Sequence, residues 1–219
     1  MAQLKLKICG LTIASQAAAV AQLGVDAIGV IAVKNSPRFL AANKRTELWK
    51  AVAAAKPQVQ RVLVVVNPSD SELDQLSPKA GHQYLQLHGE ETPERCYELK
   101  QQLGLPIWKA LRLRQKNDLE QLQAFTEVAE KILLEPWVPD QHGGTGKSLP
   151  LEWLRGLNVS CPWWLAGGMG SNNAARTIDE LVALGLEPYG IDASSSVEDS
   201  PGIKNINEVK NLLKIISTI

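Results

Sequence analysis

The chain has little that would tie it to a polymer, a membrane or a metal. Lysine plus arginine equals aspartate plus glutamate, 23 against 23 in 219 residues, so no surplus of positive charge is there to draw nucleic acid or an anionic membrane surface. Three cysteines, an odd number at irregular spacing, make no disulfide framework, and no group of cysteines and histidines has the spacing of a metal site. No apolar run approaches the roughly 20 residues that span a bilayer. The N-terminus goes straight into a strand pattern, without the basic segment, apolar stretch and cleavage site of a secretory leader. These absences set the expectation of a soluble protein in the reducing cytoplasm, a monomer or homodimer, whose partner is a small molecule rather than nucleic acid or membrane.

Two nucleotide signatures are also missing. The first strand pattern ends Cys9-Gly10-Leu11-Thr12-Ile13, without the glycine spacing that a dinucleotide pyrophosphate needs. Gly143-Gly144-Thr145-Gly146-Lys147-Ser148 invites comparison with a triphosphate-binding loop, but that motif requires a glycine five positions before Gly146, where this chain has Gln141. What remains there is a glycine-rich loop, either a plain turn or a cover whose backbone donors, Gly144 among them, close over a ligand.

What is present is a repeated beat of strand and helix. Apolar or alternating runs over residues 4–9, 26–31, 61–66, 84–88, 106–113, 131–135, 162–166 and 189–193 read as strands. Helix-forming stretches follow each of them, over 15–23, 43–55, 69–77, 92–103, 118–129, 151–157, 171–184 and 205–216, with Gly24 closing the first, Asn43 capping the second and Pro93 in the first turn of the fourth. Eight such units without a linker imply one domain, residues 1–219, closed as an α/β (β/α)8 TIM barrel, with an open doubly wound sheet as the alternative.

In a barrel the chemistry lies at the C-terminal ends of the strands, and those ends are polar. In the first strand Leu4, Leu6 and Ile8 alternate with Lys5, Lys7 and Cys9, which puts the thiol on the face of the lysines. Nearby ammonium charge would lower its pKa and make it a base or nucleophile; otherwise Cys9 is a small buried hydrophobe, as most free cysteines are. Cys96 and Cys161 lack such a setting and are expected to be structural. Arg38, in a Ser-Pro-Arg loop, has the planar fork that suits a ligand carboxylate, unless it is an ordinary surface arginine. Gln86 and His88 share a strand face and could line the pocket or simply hold their neighbours. Glu135 ends the sixth strand, where a desolvated carboxyl could stay protonated and act as a general acid, or could pair with Lys5 or Lys7 across the barrel. Gly167, Gly168, Ser195 and Ser196 follow the seventh and eighth strands, the usual phosphate-binding position in barrels.

Taken together, Lys7-Ile-Cys-Gly10, Ser36-Pro-Arg38, Gln86-Leu-His-Gly89, Gly143-Gly-Thr-Gly146, Ala166-Gly-Gly168 and Ile191-Asp192 followed by Val197-Glu-Asp-Ser-Pro-Gly202 resemble, in that order, the phosphoribosylanthranilate isomerase family. The resemblance implies an Amadori rearrangement of N-(5-phosphoribosyl)anthranilate to 1-(2-carboxyphenylamino)-1-deoxyribulose 5-phosphate in tryptophan biosynthesis, with no cofactor or metal. It implies Cys9 as general base and Glu135 as general acid, with Lys7, Arg38, Gln86, His88, Gly144 and Asp192 at the substrate and Gly167, Gly168, Ser195 and Ser196 at its phosphate. The family usually has aspartate where Glu135 stands and glycine where Ser196 stands. Those departures leave two alternatives open, a catalytically weak barrel that binds a phosphorylated metabolite, and another phosphosugar isomerase or epimerase on the same scaffold.

Overall fold

A computed structural model describes residues 3–139 and 147–219. Eight parallel strands close on themselves: β1 Lys5–Cys9, β2 Ala27–Ile31, β3 Gln60–Val65, β4 Tyr84–Leu87, β5 Ile107–Leu113, β6 Lys131–Pro136, β7 Trp163–Leu165 and β8 Gly190–Ala193, with β8 returning to pair with β1. The barrel, not the open sheet, is the fold. Around it lie α1 Ala14–Gln22, α2 Ala42–Ala55, α3 Pro93–Leu103, α4 Leu122–Thr126, α5 Ala174–Ala183 and α6 Ile206–Ile216.

Local chemistry explains most helix ends. Thr92 accepts the Arg95 N–H and Pro93 stands at the first position of α3, while Asn205 accepts from Asn207 and Glu208 to cap α6. Asn43 does not cap α2; that position falls to Ala41, and Asn43 lies inside the first turn with no capping bond. Three expected helices are 3-10 in whole or part: Asp70–Leu76 after β3, Lys116–Gln121 leading into the short α4 after β5, and Leu151–Leu154 after β6. In the first of these only Leu76 is buried. With so little apolar surface to cover, a capping box of Ser69 and Glu72 and a few i→i+3 bonds suffice.

Period two sorts the strand residues between two cores. Leu6 and Ile8 of β1 join the large cluster between sheet and helices, whereas Ala27, Val62, Trp108, Ala110, Leu133, Trp164 and Ala166 fill the barrel itself. The N-terminal end of the barrel is closed by an unforeseen device: the Lys131 ammonium sits 4.5 Å from the Trp108 ring and 5.1–5.8 Å from those of Tyr84, Trp164 and Tyr189, and donates to Gln60 Oε1 at 2.6 Å. Burial nonetheless pulls its pKa down to about 8.

Beyond β8 a second unforeseen feature appears. Residues 198–204 form an antiparallel hairpin, β9 Glu198–Ser200 with β10 Ile203–Lys204. It folds back over the mouth near β1, held by Thr12 Oγ1 donating to the Gly202 carbonyl at 2.8 Å. Among the described residues no helix is long and apolar enough to cross a membrane.

Candidate active site

At the C-terminal mouth of the barrel a cleft is lined by Cys9, Ile31, Arg38, Val64, His88 and Glu135, by Ala166, Gly167 and Gly168 after β7, and by Asp192, Ser194, Ser195 and Ser196. Size alone would mislead. A roomier cleft lies at the opposite end among Leu4, Pro162, Val182, Tyr189 and Ile219, where apolar side chains dominate.

Cys9 closes β1, packed on Ile31 and Val64. Its sulfur has room because the residue beside it in β2 is Gly29: a Cβ there would stand 2.6 Å from Sγ. The expectation of a lowered thiol pKa is corrected by the setting. Burial pushes Cys9 above its ordinary value, and the opposing pull of Lys7 and Lys204 does not overcome it. Lys7 is fully buried and does not reach the cleft; its ammonium donates to Asp192 Oδ2 at 2.8 Å. Burial works against that charge, but Asp192 and then Cys9 hold the Lys7 pKa above the usual lysine range. Lys7 therefore stands beneath the cleft as a buried partner of Asp192.

Across the mouth, Glu135 at the end of β6 is nine-tenths buried and takes a short hydrogen bond at Oε1 from His88 Nε2. The alternative of an ion pair from Glu135 to Lys5 or Lys7 is not what forms, since Lys5 pairs with Asp26 and Lys7 with Asp192. Gln86 lies below His88 and does not line the cleft; its Nε2 is 3.1 Å from His88 Nδ1. An amide N–H pointed at Nδ1 makes that nitrogen the acceptor and places the ring proton on Nε2, facing Glu135. Glu135 Oε1 is thus occupied, and Oε2 is the oxygen left to the cleft.

Arg38 is not a surface arginine. Its Nε reaches both oxygens of Glu198, at 2.9 and 3.0 Å, and Nη2 reaches Oε2 at 2.7 Å. Ser36 Oγ accepts the Arg38 backbone N–H at 3.1 Å, which sets the loop. On the other wall, Gly167 and Gly168 have φ of +96° and +65°, and a Cβ on Gly167 would meet the Lys147 carbonyl at 2.7 Å. Only glycine fits both the left-handed backbone and the crowding. Ser195 and Ser196 begin a 3-10 turn, Ser195–Val197, facing them, and Ser196 Oγ donates to the Met169 carbonyl.

Of the residues expected at the site, Cys9, Arg38, His88, Glu135, Gly167, Gly168, Asp192, Ser195 and Ser196 come together in one cleft. Lys7 and Gln86 stand beneath it, and Gly144 lies outside the described residues. Lys204 was not foreseen, and Ser194 and Glu198 were legible only as members of the segment after the eighth strand, without a role of their own. Ser194 Oγ donates to the Cys9 carbonyl at 3.1 Å, and Lys204 reaches Glu198 at 2.6 Å. Glu198 had a signal, a glutamate in the Val197–Gly202 motif, but nothing local gave it a partner 160 residues away. Cys96 and Cys161 lie away from the cleft; burial pushes Cys96 up to about 12 and raises Cys161. Among the described residues no group of three or more His, Cys, Asp and Glu side chains could hold a metal.

A closed parallel barrel with a thiol, a carboxyl, an arginine fork and two glycine- and serine-rich turns at one mouth defines a (β/α)8-barrel enzyme for a small anionic substrate. Comparison with known proteins narrows that class. The family model described as N-(5'phosphoribosyl)anthranilate (PRA) isomerase matches residues 6–215. The N-(5'-phosphoribosyl)anthranilate isomerase of Thermosynechococcus vestitus is 40% identical over 215 residues, covering 97% of this chain and 89% of the relative. A crystal structure of the phosphoribosyl anthranilate isomerase of Thermus thermophilus is similar at 29% identity and a TM-score of 0.79, over 98% of this chain and 99% of that one. A second similar structure, 25% identical with a TM-score of 0.78 over 99% of this chain and 100% of that one, is of a phosphoribosyl anthranilate isomerase in complex with reduced 1-(o-carboxyphenylamino)-1-deoxyribulose 5-phosphate. The chain belongs to the phosphoribosylanthranilate isomerase family.

Proposed function

We propose that the protein converts N-(5-phosphoribosyl)anthranilate to 1-(2-carboxyphenylamino)-1-deoxyribulose 5-phosphate, a step of tryptophan biosynthesis, with Glu135 as general acid and Cys9 as general base. The observation that carries the assignment is the single cleft that holds Cys9 on one wall and the His88–Glu135 pair on the other. The phosphate lies at the Gly167–Gly168 and Ser195–Ser196 turns, where backbone N–H groups can approach its oxygens. The anthranilate carboxylate faces Arg38, whose guanidinium is the cation on the cleft wall.

Glu135 Oε2 delivers its proton to the furanose oxygen. The C1–O bond breaks, its electron pair leaves with that oxygen, and the nitrogen lone pair forms the cationic Schiff base. Cys9 then removes the proton from C2, and the C2–H electrons neutralise the nitrogen to give an enolamine that tautomerises to the aminoketose. His88 keeps Oε1 engaged, so the carboxyl cannot turn its proton away from the substrate. The thiol is costly to ionise in its buried setting. The positive charge of the ring-opened intermediate adds to that of Lys7 and Lys204, and thiolate is favoured at the step that needs it.

Freshly made phosphoribosylanthranilate fluoresces, and the test is the decay of that signal on adding protein at micromolar concentration or below. Catalysed decay is the expected result. A barrel that binds the substrate without accelerating its disappearance would refute the isomerase and leave only a binding protein.

A further inference from the structure

We propose that Glu198, with Lys204 behind it, is a positioning residue that fixes the guanidinium of Arg38 for an aryl carboxylate and so sets the site's preference for a carboxylated aromatic amine. The proposal rests on the function above and deepens it. Arg38 lines the cleft, whereas Glu198 and Lys204 do not. Glu198 engages one edge of the fork, through Nε and Nη2. An arginine has two such edges, and the one formed by Nη1 with the remaining Nη2 proton is left for a second carboxylate. A free arginine gives up rotamer entropy when it is fixed; here that ordering precedes binding.

A carboxylate alone would neutralise the cation it holds. Glu198 Oε1, however, also accepts from Lys204 Nζ at 2.6 Å and from the Gly202 N–H at 3.1 Å. Both charged side chains of that pair are buried, at 0% and 4% exposure for Lys204 and Glu198. Burial drives Glu198 up, but Arg38 and Lys204 hold its carboxyl below the usual range. One anion between two cations leaves a single positive charge at the arginine, which is what an anionic ligand needs.

The hairpin carries this cluster rigidly. Gln16 of α1 holds the Lys204 backbone from both sides, donating to its carbonyl at 3.1 Å and accepting its N–H at 3.0 Å, and Lys204 Nζ also donates to the Ser194 carbonyl at 3.2 Å. The β9–β10 hairpin is thereby tied to α1 and to the turn after β8, and through Glu198 to the arginine after β2. This gives the Val197–Gly202 motif a task that neither the acid nor the base requires.

The test uses two stable ligands made by reductive amination of ribose 5-phosphate, one with anthranilate and one with aniline, which differ only in the carboxyl group. Calorimetric affinities are measured for the wild type, Glu198→Gln and Lys204→Met, with unfolding curves to establish that each is folded. The wild type should favour the carboxylated ligand by about tenfold or more, the size of one charge-assisted contact. Each variant should weaken that ligand by about tenfold while the aniline ligand changes by less than about twofold, because only the carboxylate contact is disturbed. Lys204→Met keeps the Arg38–Glu198 bond and so remains informative if Glu198→Gln does not fold. Equal losses on both ligands, no loss on the carboxylated one, or a wild type that binds the two alike would overturn the proposal. Failure of the isomerase assignment reads differently, as ligand discrimination without turnover.

Discussion

Replacing Gly29 by alanine sets a methyl group against the sulfur of Cys9 while leaving every side chain of the cleft chemically unchanged. The added Cβ would lie 2.6 Å from Sγ and 3.2 Å from both Cα and Cβ of Cys9. Nonbonded carbon contacts sit at about 3.5–4.0 Å, so the sulfur has to withdraw by roughly 1 Å. Overpacking of this kind destabilises by about 1–3 kcal/mol. A displacement of about 1 Å at a reacting group lowers the rate on the order of a hundredfold. The expected outcome is a folded Gly29→Ala protein, melting somewhat lower, with kcat/KM for phosphoribosylanthranilate down about a hundredfold and most of the loss in kcat. Gly104→Ala is the matched control. Its φ is +62° and nothing lies within 4 Å of the added carbon, so it should lose about 1 kcal/mol of stability with no change in turnover. A folded Gly29→Ala protein with wild-type kcat/KM would refute the reasoning, because it would separate the position of the thiol from the rate.

Two further expectations concern the scaffold. Lys109 Nζ meets Glu91 Oε2 at 2.7 Å with both side chains at most 2% exposed, so Lys109→Met leaves a buried carboxylate that also anchors the Asn67 and Gly89 N–H groups; chemical denaturation should show a loss of about 3–5 kcal/mol. His82 donates through Nε2 to the Leu76 carbonyl at 3.0 Å, and burial lowers its pKa from 6.5 to about 4. The folded state refuses a proton that the unfolded state accepts below pH 6.5. Stability is therefore full above that pH and falls as pH drops toward 4, by at most about 3 kcal/mol from this group. Urea midpoints at pH 7 and 4.5 for wild type and His82→Gln should show a smaller pH-dependent loss in the variant.

The strands were legible because their side-chain period is short and their boundaries are marked by glycine, proline and asparagine. All eight lie within a residue or two of where the pattern puts them, and the odd-numbered face of β1 carries Lys5, Lys7 and Cys9 as alternation requires. Helix type was less legible. Asp70–Leu76 and Lys116–Gln121 have helix-forming residues, but too little apolar surface to favour 3.6 residues per turn over 3-10. Partners were the least legible. That Lys7 belongs to Asp192, 185 residues on, and Glu135 to His88 rather than to a lysine, depends on barrel closure that no local window contains. The direction of the Cys9 shift was missed for a related reason. Nearby lysines argue for a lowered pKa, but burial outweighs the pull of Lys7 and Lys204, and the Asp192 carboxylate adds to the rise. Arg38 and Ser195 could be placed from the ends of strands; Lys204 could not, because its strand has two residues, follows a two-residue turn and has no apolar alternation to announce it.

The claim on which the chemistry depends is that sulfur removes the C2 proton. The direct measurement is the initial rate of phosphoribosylanthranilate fluorescence decay with Cys9→Ala, a change that empties no large volume and should leave the unfolding curve nearly unmoved. The expected result is a fall in kcat of at least about a hundredfold, the lower bound of a lost general base. A folded Cys9→Ala protein that turns over substrate at the wild-type rate would contradict it.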